Sequence, residues 1–270
     1  MQHTSLAPLG LLLFSVTMLL AMLLPLEQGQ AVQKTTKGPT PFLGAENTAS
    51  LSAGSYSQKA PQHWGEEVPG VIVGIDTDKQ IAALTLDACQ GDYDRELIEY
   101  LRQEEIPATL FVTCLWIEEN QGVFEELAQD PLFSIANHGT RHLPLSVTGQ
   151  EAYGIKGTEG PEGVLQEVLP CSRQIEKILG KRPRYFRSGT AHYDEIAVRM
   201  VNDLGLEVIG FTVAADEGAS LGKEEIVERM QQVEPGGIIL AHMNHPESEV
   251  AEGLKEGITA LQRQGYEFVR

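Results

Sequence analysis

Ile81-Ala82-Ala83-Leu84-Thr85-Leu86-Asp87 is the stretch that decides the fold. It is a short, almost continuous apolar run of β type, and it ends on a carboxylate. Four more runs behave alike. Leu132 to Asn137 ends on His138, with His142 one helical turn later; Tyr185-Phe186 ends on Arg187; Val208 to Val213 leads to Asp216; Gly237 to Ala241 ends on His242. Acid, base and metal-binding side chains gathered at the C-terminal ends of successive parallel strands are how a β/α barrel builds an active site.

The segments between these runs carry helical spacing. Helices are expected over Tyr93–Gln103 with Asp92 as N-cap, Trp116–Gln129, Val164–Leu179, Asp194–Leu204, Glu224–Gln232 and Ser248–Gln264. Further strands are expected at 108–113 and 266–269, and a hairpin joining 71–75 to 81–86 through Asp76-Thr77-Asp78-Lys79. Residues 143–162 carry scattered glycines without a period and read as a long loop. Alternation of strand and helix implies an α/β domain with a mostly parallel sheet and helices outside. There is no Walker loop and no GxGxxG after a strand.

The 270 residues suffice for one barrel, and a 42% hydrophobic content supplies a core. A formal net charge of −18 argues against a nucleic-acid partner and against docking on an anionic membrane, both of which need a basic surface. No protein partner is implied. Leu9–Leu26 is an apolar run, and Gly29-Gln30-Ala31 resembles a cleavage site, so residues 1–31 read as a secretory signal peptide, with an uncleaved membrane anchor as the rival. Residues 32–67 read as a flexible linker, and 68–270 as the catalytic domain, extracytoplasmic in either case: secreted or periplasmic, or anchored through the leader. Three cysteines allow at most one disulfide, and Cys89, two residues after Asp87, reads either as a nucleophile or as a small residue buried behind the site.

Of seven histidines, His3 lies in the leader and His63 in the linker; the other five fall beside strand ends. His138-x3-His142 places two imidazoles on one side of a turn, which suits a zinc-type ion. Asp87 ends an apolar strand and needs a compensating cation, for which Arg187 is the natural partner. His242 ends a strand equally apolar. Asp216 is placed to orient His242 or to contact substrate. His245, His192 and Tyr193 are candidate rim residues.

These motifs resemble the polysaccharide deacetylase family (the NodB-homology type) over about residues 70–270. The matching segments are Thr85-Leu86-Asp87-Ala88-Cys89, His138-Gly139-Thr140-Arg141-His142, Arg187-Ser188-Gly189-Thr190, Ala215-Asp216 and Ile239-Leu240-Ala241-His242. The resemblance implies a distorted (β/α)7 barrel and metal-dependent removal of N-acetyl or related acyl groups from an N-acetylated polysaccharide or oligosaccharide. It implies a divalent ion, zinc by preference, on His138 and His142, with Asp87 as general base, His242 as the acid for the leaving amine, and Arg187 aligning Asp87. A backbone N–H near Thr190 would face the oxyanion. The chain departs from the family motif at Ala88, where a metal-binding Asp is usual; Asp87 itself, Asp92 or Asp94 are the candidates to fill that place. The fourth motif lacks its usual Trp, and Ser188-Gly189 replaces the usual Pro. Two rival activities remain open: a metal-free relative that binds glycan, and a hydrolase of small linear amides on the same scaffold.

Overall fold

The computed structural model describes Tyr56 and residues 60–270; the leader and most of the linker lie outside the described residues. The strands are β1 (Trp64–Gly65), β2 (Val71–Ile72), β3 (Ile81–Ala88), β4 (Ala108–Val112), β5 (Phe133–Asn137), β6 (Glu151–Ala152), β7 (Ile155–Lys156), β8 (Tyr185–Phe186), β9 (Tyr193–Asp194), β10 (Glu207–Ile209), β11 (Val213–Ala214), β12 (Gly237–His242) and β13 (Glu267–Val269). Helices cover Arg95–Gln103, Cys114–Glu119, Gln121–Gln129, Gly160–Leu179, Glu195–Asp203, Lys223–Met230 and Val250–Arg263.

Nine strands form one sheet in the order β11-β12-β3-β4-β5-β8-β10-β2, with β13 also on β3. Every pairing in it is parallel. The chain after β2 crosses back to the other end of the order: the N–H of Ile75 donates to the carbonyl of Gly236 at 2.8 Å, and Gly74 bridges Gly237. The result is the expected distorted β/α barrel.

Strand alternation sorts the two faces. On β3, Ala82, Leu84, Leu86 and Ala88 face outward into the main core, with Leu97, Leu101, Trp116 and Ile258 of the covering helices. Ala83 faces inward, where it meets Phe111, Ala136, Ile209 and Ile238. The small inward residues leave room for Arg187, which is fully buried and lies over the Phe111 ring at 4.2 Å from its centroid. Stacking of this kind offsets part of the cost of burying a guanidinium.

Several elements differ from the sequence reading. Residues 71–75 and 81–86 form no hairpin, because β2 pairs with β10 instead. The 208–213 run is two strands broken at Gly210, whose N–H donates to the carbonyl of Ile72 at 2.8 Å. A Cβ on Gly210 would sit 2.9 Å from Val71, so the glycine lets the chain cross close over β2. The 116–129 helix is two helices meeting at Asn120. The 95–103 helix is capped by Asp94, whose carboxylate accepts from the N–H of Leu97, and not by Asp92. Within 143–162 there is a small hairpin of β6 and β7. The linker does not stay free up to residue 67: β1 pairs antiparallel with β9, and the Glu195 carboxylate receives the N–H groups of Gln62 and His63 at 2.8 and 2.9 Å. Tyr56 is buried, with its hydroxyl on Asp203. Among the described residues no helix is long and apolar enough to cross a membrane.

Candidate active site

β3 and β12 lie side by side with His242 in register with Asp87, so the two side chains emerge at the same end of the barrel. Asp87 is 3% exposed. Its Oδ1 accepts from the Arg187 guanidinium at 2.7 Å, and its Oδ2 lies 3.5 Å from His138 Nε2. Arg187 is itself held by the Thr85 hydroxyl and by the carbonyls of Ile209 and Gly210 at 3.0, 3.2 and 2.8 Å. Burial pushes the Asp87 carboxyl up, but Arg187, His138 and His242 outweigh it and hold the group below its ordinary value.

His242 is fixed through Asp216, which is fully buried. The Asp216 carboxylate accepts from the backbone N–H of His242 at 2.7 Å and lies 2.9 Å from its Nδ1. That leaves Nε2 as the working nitrogen. Burial lowers the affinity of the ring for a proton, yet Asp216 and Cys89 overcome it and raise His242 well above the usual imidazole range.

The His138–His142 loop is shaped by a residue the sequence reading passed over. Glu167, on the 160–179 helix, is fully buried. Its Oε1 accepts the N–H groups of Arg141 and Leu143 at 2.9 and 3.2 Å, while its carbonyl takes the N–H and hydroxyl of Thr140. Gly139 turns at φ +94°, and a Cβ there would strike the Glu167 carboxylate at 2.5 Å. His142 itself adopts φ 62°. A Cβ on Gly189 would lie 2.3 Å from the His142 backbone, so the departure at Ser188-Gly189 is what lets this loop close.

His138 Nδ1 lies 3.1 Å from the carbonyl of Arg187, which turns Nε2 toward the cavity. This is the outer-shell arrangement that orients a metal-binding imidazole. His142 Nε2 is buried and has no hydrogen-bond partner. Cys89 Sγ lies 3.7 Å from His138 Nε2. The donor atoms of Cys89, His138 and His142 all fall within 4.8 Å of one another. An orphaned imidazole nitrogen and a tight nitrogen–sulfur set fit a zinc-type ion. Burial opposes ionisation of the Cys89 thiol, but His138, His142 and His242 bring it well below its ordinary range. His138 is raised, because Asp87 and Cys89 outweigh its burial.

A cavity of about 930 Å³ opens onto this end of the barrel, lined by Asp87, Cys89, His142, Thr190, His242 and His245 among others. Thr190 presents a buried, unpartnered hydroxyl. His245 is half-buried at the mouth, 3.1 Å from the Glu247 carboxylate. Tyr193, expected at the rim, is instead fully buried, and its hydroxyl accepts from the N–H of Ser188 at 3.1 Å. It supports the 187–190 loop from below. Cys89, read either as a nucleophile or as a small residue buried behind the site, lines the cavity. All three cysteines are free. Asp94 is committed to its helix cap, and Asp92 is exposed with its carbonyl accepting from the Trp116 indole at 2.9 Å. Trp64 and Tyr153 converge on His192, with ring centroids 5.8 and 5.2 Å away, and give the rim an aromatic edge. Sequence pattern alone had no way to join a linker residue to a loop residue.

A family model described as polysaccharide deacetylase matches residues 74–209, half of the chain. The Bacillus subtilis uncharacterized protein YlxY is 23% identical over 214 residues, 78% of this chain; the chain spans 62% of that relative's length. The B. subtilis peptidoglycan-N-acetylmuramic acid deacetylase PdaA is 24% identical over 208 residues, 75% of this chain and 74% of the relative. Among solved structures, a CE4 family pseudoenzyme from Bacillus anthracis superposes with a TM-score of 0.64 at 23% identity, covering 75% of this chain and 67% of the other. That likeness shows a shared fold.

Proposed function

The chain belongs to the polysaccharide deacetylase family, and from that premise we propose that it is a metal-dependent hydrolase removing N-acetyl or related acyl groups from a glycan. The observation that carries the proposal is the meeting in one cavity of Asp87, held from behind by Arg187, and His242, held from behind by Asp216, with His142, while the buried His138 lies against Asp87. His138 and His142 would hold the ion, which when bound would supply Lewis acidity for acyl transfer to water.

Asp87 is kept ionised by Arg187 and accepts the proton of that water. His242, with Nδ1 occupied by Asp216, donates from Nε2 to the departing amine. Asp216 raises the proton affinity of the ring, which favours the protonated form that this step needs. Thr190 lines the same cavity with an unpartnered hydroxyl, and the loop around it is assigned to the developing oxyanion. The rim suits a sugar chain: Tyr153 is 76% exposed at the cavity edge, and aromatic faces pack against the apolar faces of sugar rings. Glu66 and Glu67 also line the mouth, while Glu217 there is paired with Arg229, so the net charge of the rim is negative and favours neutral or partly deacetylated glycans over anionic ones. The apolar leader Leu9–Leu26 assigns the activity to the outside of the cytosol.

The test is acetate release from N-acetylated chitooligosaccharides, peptidoglycan fragments and small linear amides by purified protein. Release from the glycans, lost in Asp87→Asn and His242→Ala with the fold intact, is the expected result. Tight glycan binding without release would identify a pseudoenzyme, and release only from linear amides would transfer the site to that substrate class.

A further inference from the structure

We propose that Cys89 is the third protein ligand of the ion held by His138 and His142, so that this chain builds a thiolate–bis-imidazole centre where its family motif has a carboxylate. The assignment rests on the metal-dependent activity proposed for this site, and it names a ligand that the motif does not.

The strand decides which residues can reach. Odd residues of β3 face the barrel interior and even ones the helices, so residue 89 continues the face of Asp87. Ala88 is fully buried in the core cluster that holds Leu84 and Leu86, and it is not among the residues that line the cavity, whereas Cys89 is. With alanine at the motif position, no carboxylate is available there, and the next residue, which lines the cavity, takes up the place.

The distance between sulfur and the nearer imidazole agrees with coordination. Zinc bonds of about 2.3 Å to sulfur and 2.05 Å to nitrogen, spread at a tetrahedral angle, put the two donors about 3.6 Å apart. Cys89 Sγ and His138 Nε2 are 3.7 Å apart. Among the described residues, the group of His, Cys, Asp and Glu whose donors all approach within 4.8 Å is Cys89, His138 and His142; Asp87 is not in it. Asp87 Oδ2 does come within 3.5 Å of His138 Nε2, which makes it the competing ligand. Its other oxygen is already bonded to Arg187. With Cys89 as ligand, Asp87 is released from a double role and is free to act as the base. The thiol gives up its proton to solvent as the ion binds, and a soft sulfur donor favours zinc or cobalt over magnesium or manganese.

Cobalt(II) titration of the purified protein tests this, read by absorption and by metal content. The wild type is expected to take about one cobalt per chain and to show a thiolate-to-cobalt charge-transfer band in the near ultraviolet. Cys89→Ala should lose the band and weaken cobalt binding at least about tenfold, the least that loss of even an outer-shell partner costs. Cys89→Asp should keep the ion without the band, which also shows that the loop still folds. Asp87→Asn should keep both. A wild type that binds one cobalt with no such band overturns the Cys89 assignment and leaves the metal-dependent reading standing. Loss of the ion in Asp87→Asn but not in Cys89→Ala makes Asp87 the ligand. A wild type that binds neither cobalt nor zinc removes both. Acyl mass appearing on Cys89 during turnover would overturn the assignment in favour of a nucleophile.

Discussion

The two faces of β3 live in different media although their residues alternate along one strand. The outward set, Ala82, Leu84, Leu86 and Ala88, is wholly apolar and packs under the helices. Along the inward face, Ala83 is followed by Thr85, Asp87 and, past the strand end, Cys89; Thr85 and Asp87 both bond to Arg187. A motif written as consecutive letters hides this period of two. Ala88 and Cys89 are neighbours in the chain, yet only one of them meets the cavity.

The sharpest way to break the contrast is to charge the outward face. Ala88→Asp would place a carboxylate in the buried apolar cluster that holds Leu84, Leu86 and Leu97. Burying an unpaired charge belongs to the severe class of substitutions, and a loss of about 4 kcal/mol or more is expected. Denaturant titration should show the midpoint collapse, and zinc affinity should not rise. A stable variant with tighter zinc would mean that residue 88 does reach the site.

The inward face is vulnerable through its cation. Arg187→Met leaves Asp87 buried without its partner, which costs about 3 kcal/mol. Arg187 is also what offsets the upward push of burial on Asp87. Without it the carboxyl stays protonated to higher pH, so the acid limb of any activity profile should move upward. Asp87→Asn in the same chain should recover part of the stability but none of the activity.

The contrast also explains what could be read from the sequence. The strand-end residues were legible, because continuous apolar runs as short as Ile81–Leu86 and Gly237–Ala241 are of strand rather than helix length, and a polar residue closing each one stands out. The helix at 95–103 was legible from Leu97, Ile98 and Leu101, although its cap fell two residues later than expected. What failed was whatever depended on distant partners. The Gly210 break is set by β2 crossing nearby, and the docking of Trp64 by β9. Glu167 looked like one more solvated helix acid in an acidic chain, because nothing local says that its carboxylate gathers the N–H groups of another loop. Cys89 was visible from its distance of two to Asp87; the strand period, applied past the strand end, would have put both on one face.

Glu167 sharpens the comparison from the outside of the site. Glu167→Ala would leave the N–H groups of Arg141 and Leu143 without their acceptor, at about 2 kcal/mol. The larger consequence falls on His142, which this turn presents; zinc affinity should drop about tenfold, the usual cost of removing an outer-shell support. Glu167→Gln keeps one acceptor oxygen and should lie between the wild type and the alanine variant. Isothermal titration with zinc measures both. An alanine variant with unchanged affinity would show that the loop keeps its shape by itself.

The smallest expected effect concerns Tyr193, beneath the inward face. Burial raises its hydroxyl from 10.0 to about 12, with Arg187 and the N–H of Ser188 opposing that shift. The sign follows from which state ionises first. Below pH 10 the phenol is neutral in both states and its contribution is fully present. Between pH 10 and about 12 the unfolded chain ionises while the folded one does not, so stability falls through that window and levels off above it. The whole span amounts to at most about 3 kcal/mol, at about 1.4 kcal/mol per pH unit. Tyr193→Phe loses the hydrogen bond from Ser188, a cost of about 1 kcal/mol at neutral pH. In return it has nothing to ionise, so its unfolding midpoint should fall less steeply than that of the wild type across the same window. Paired urea titrations at neutral pH and at several alkaline values make the comparison. Parallel curves for the two proteins would mean that the phenol meets solvent in the folded state, and that the floor under the 187–190 loop is looser than the buried ring implies.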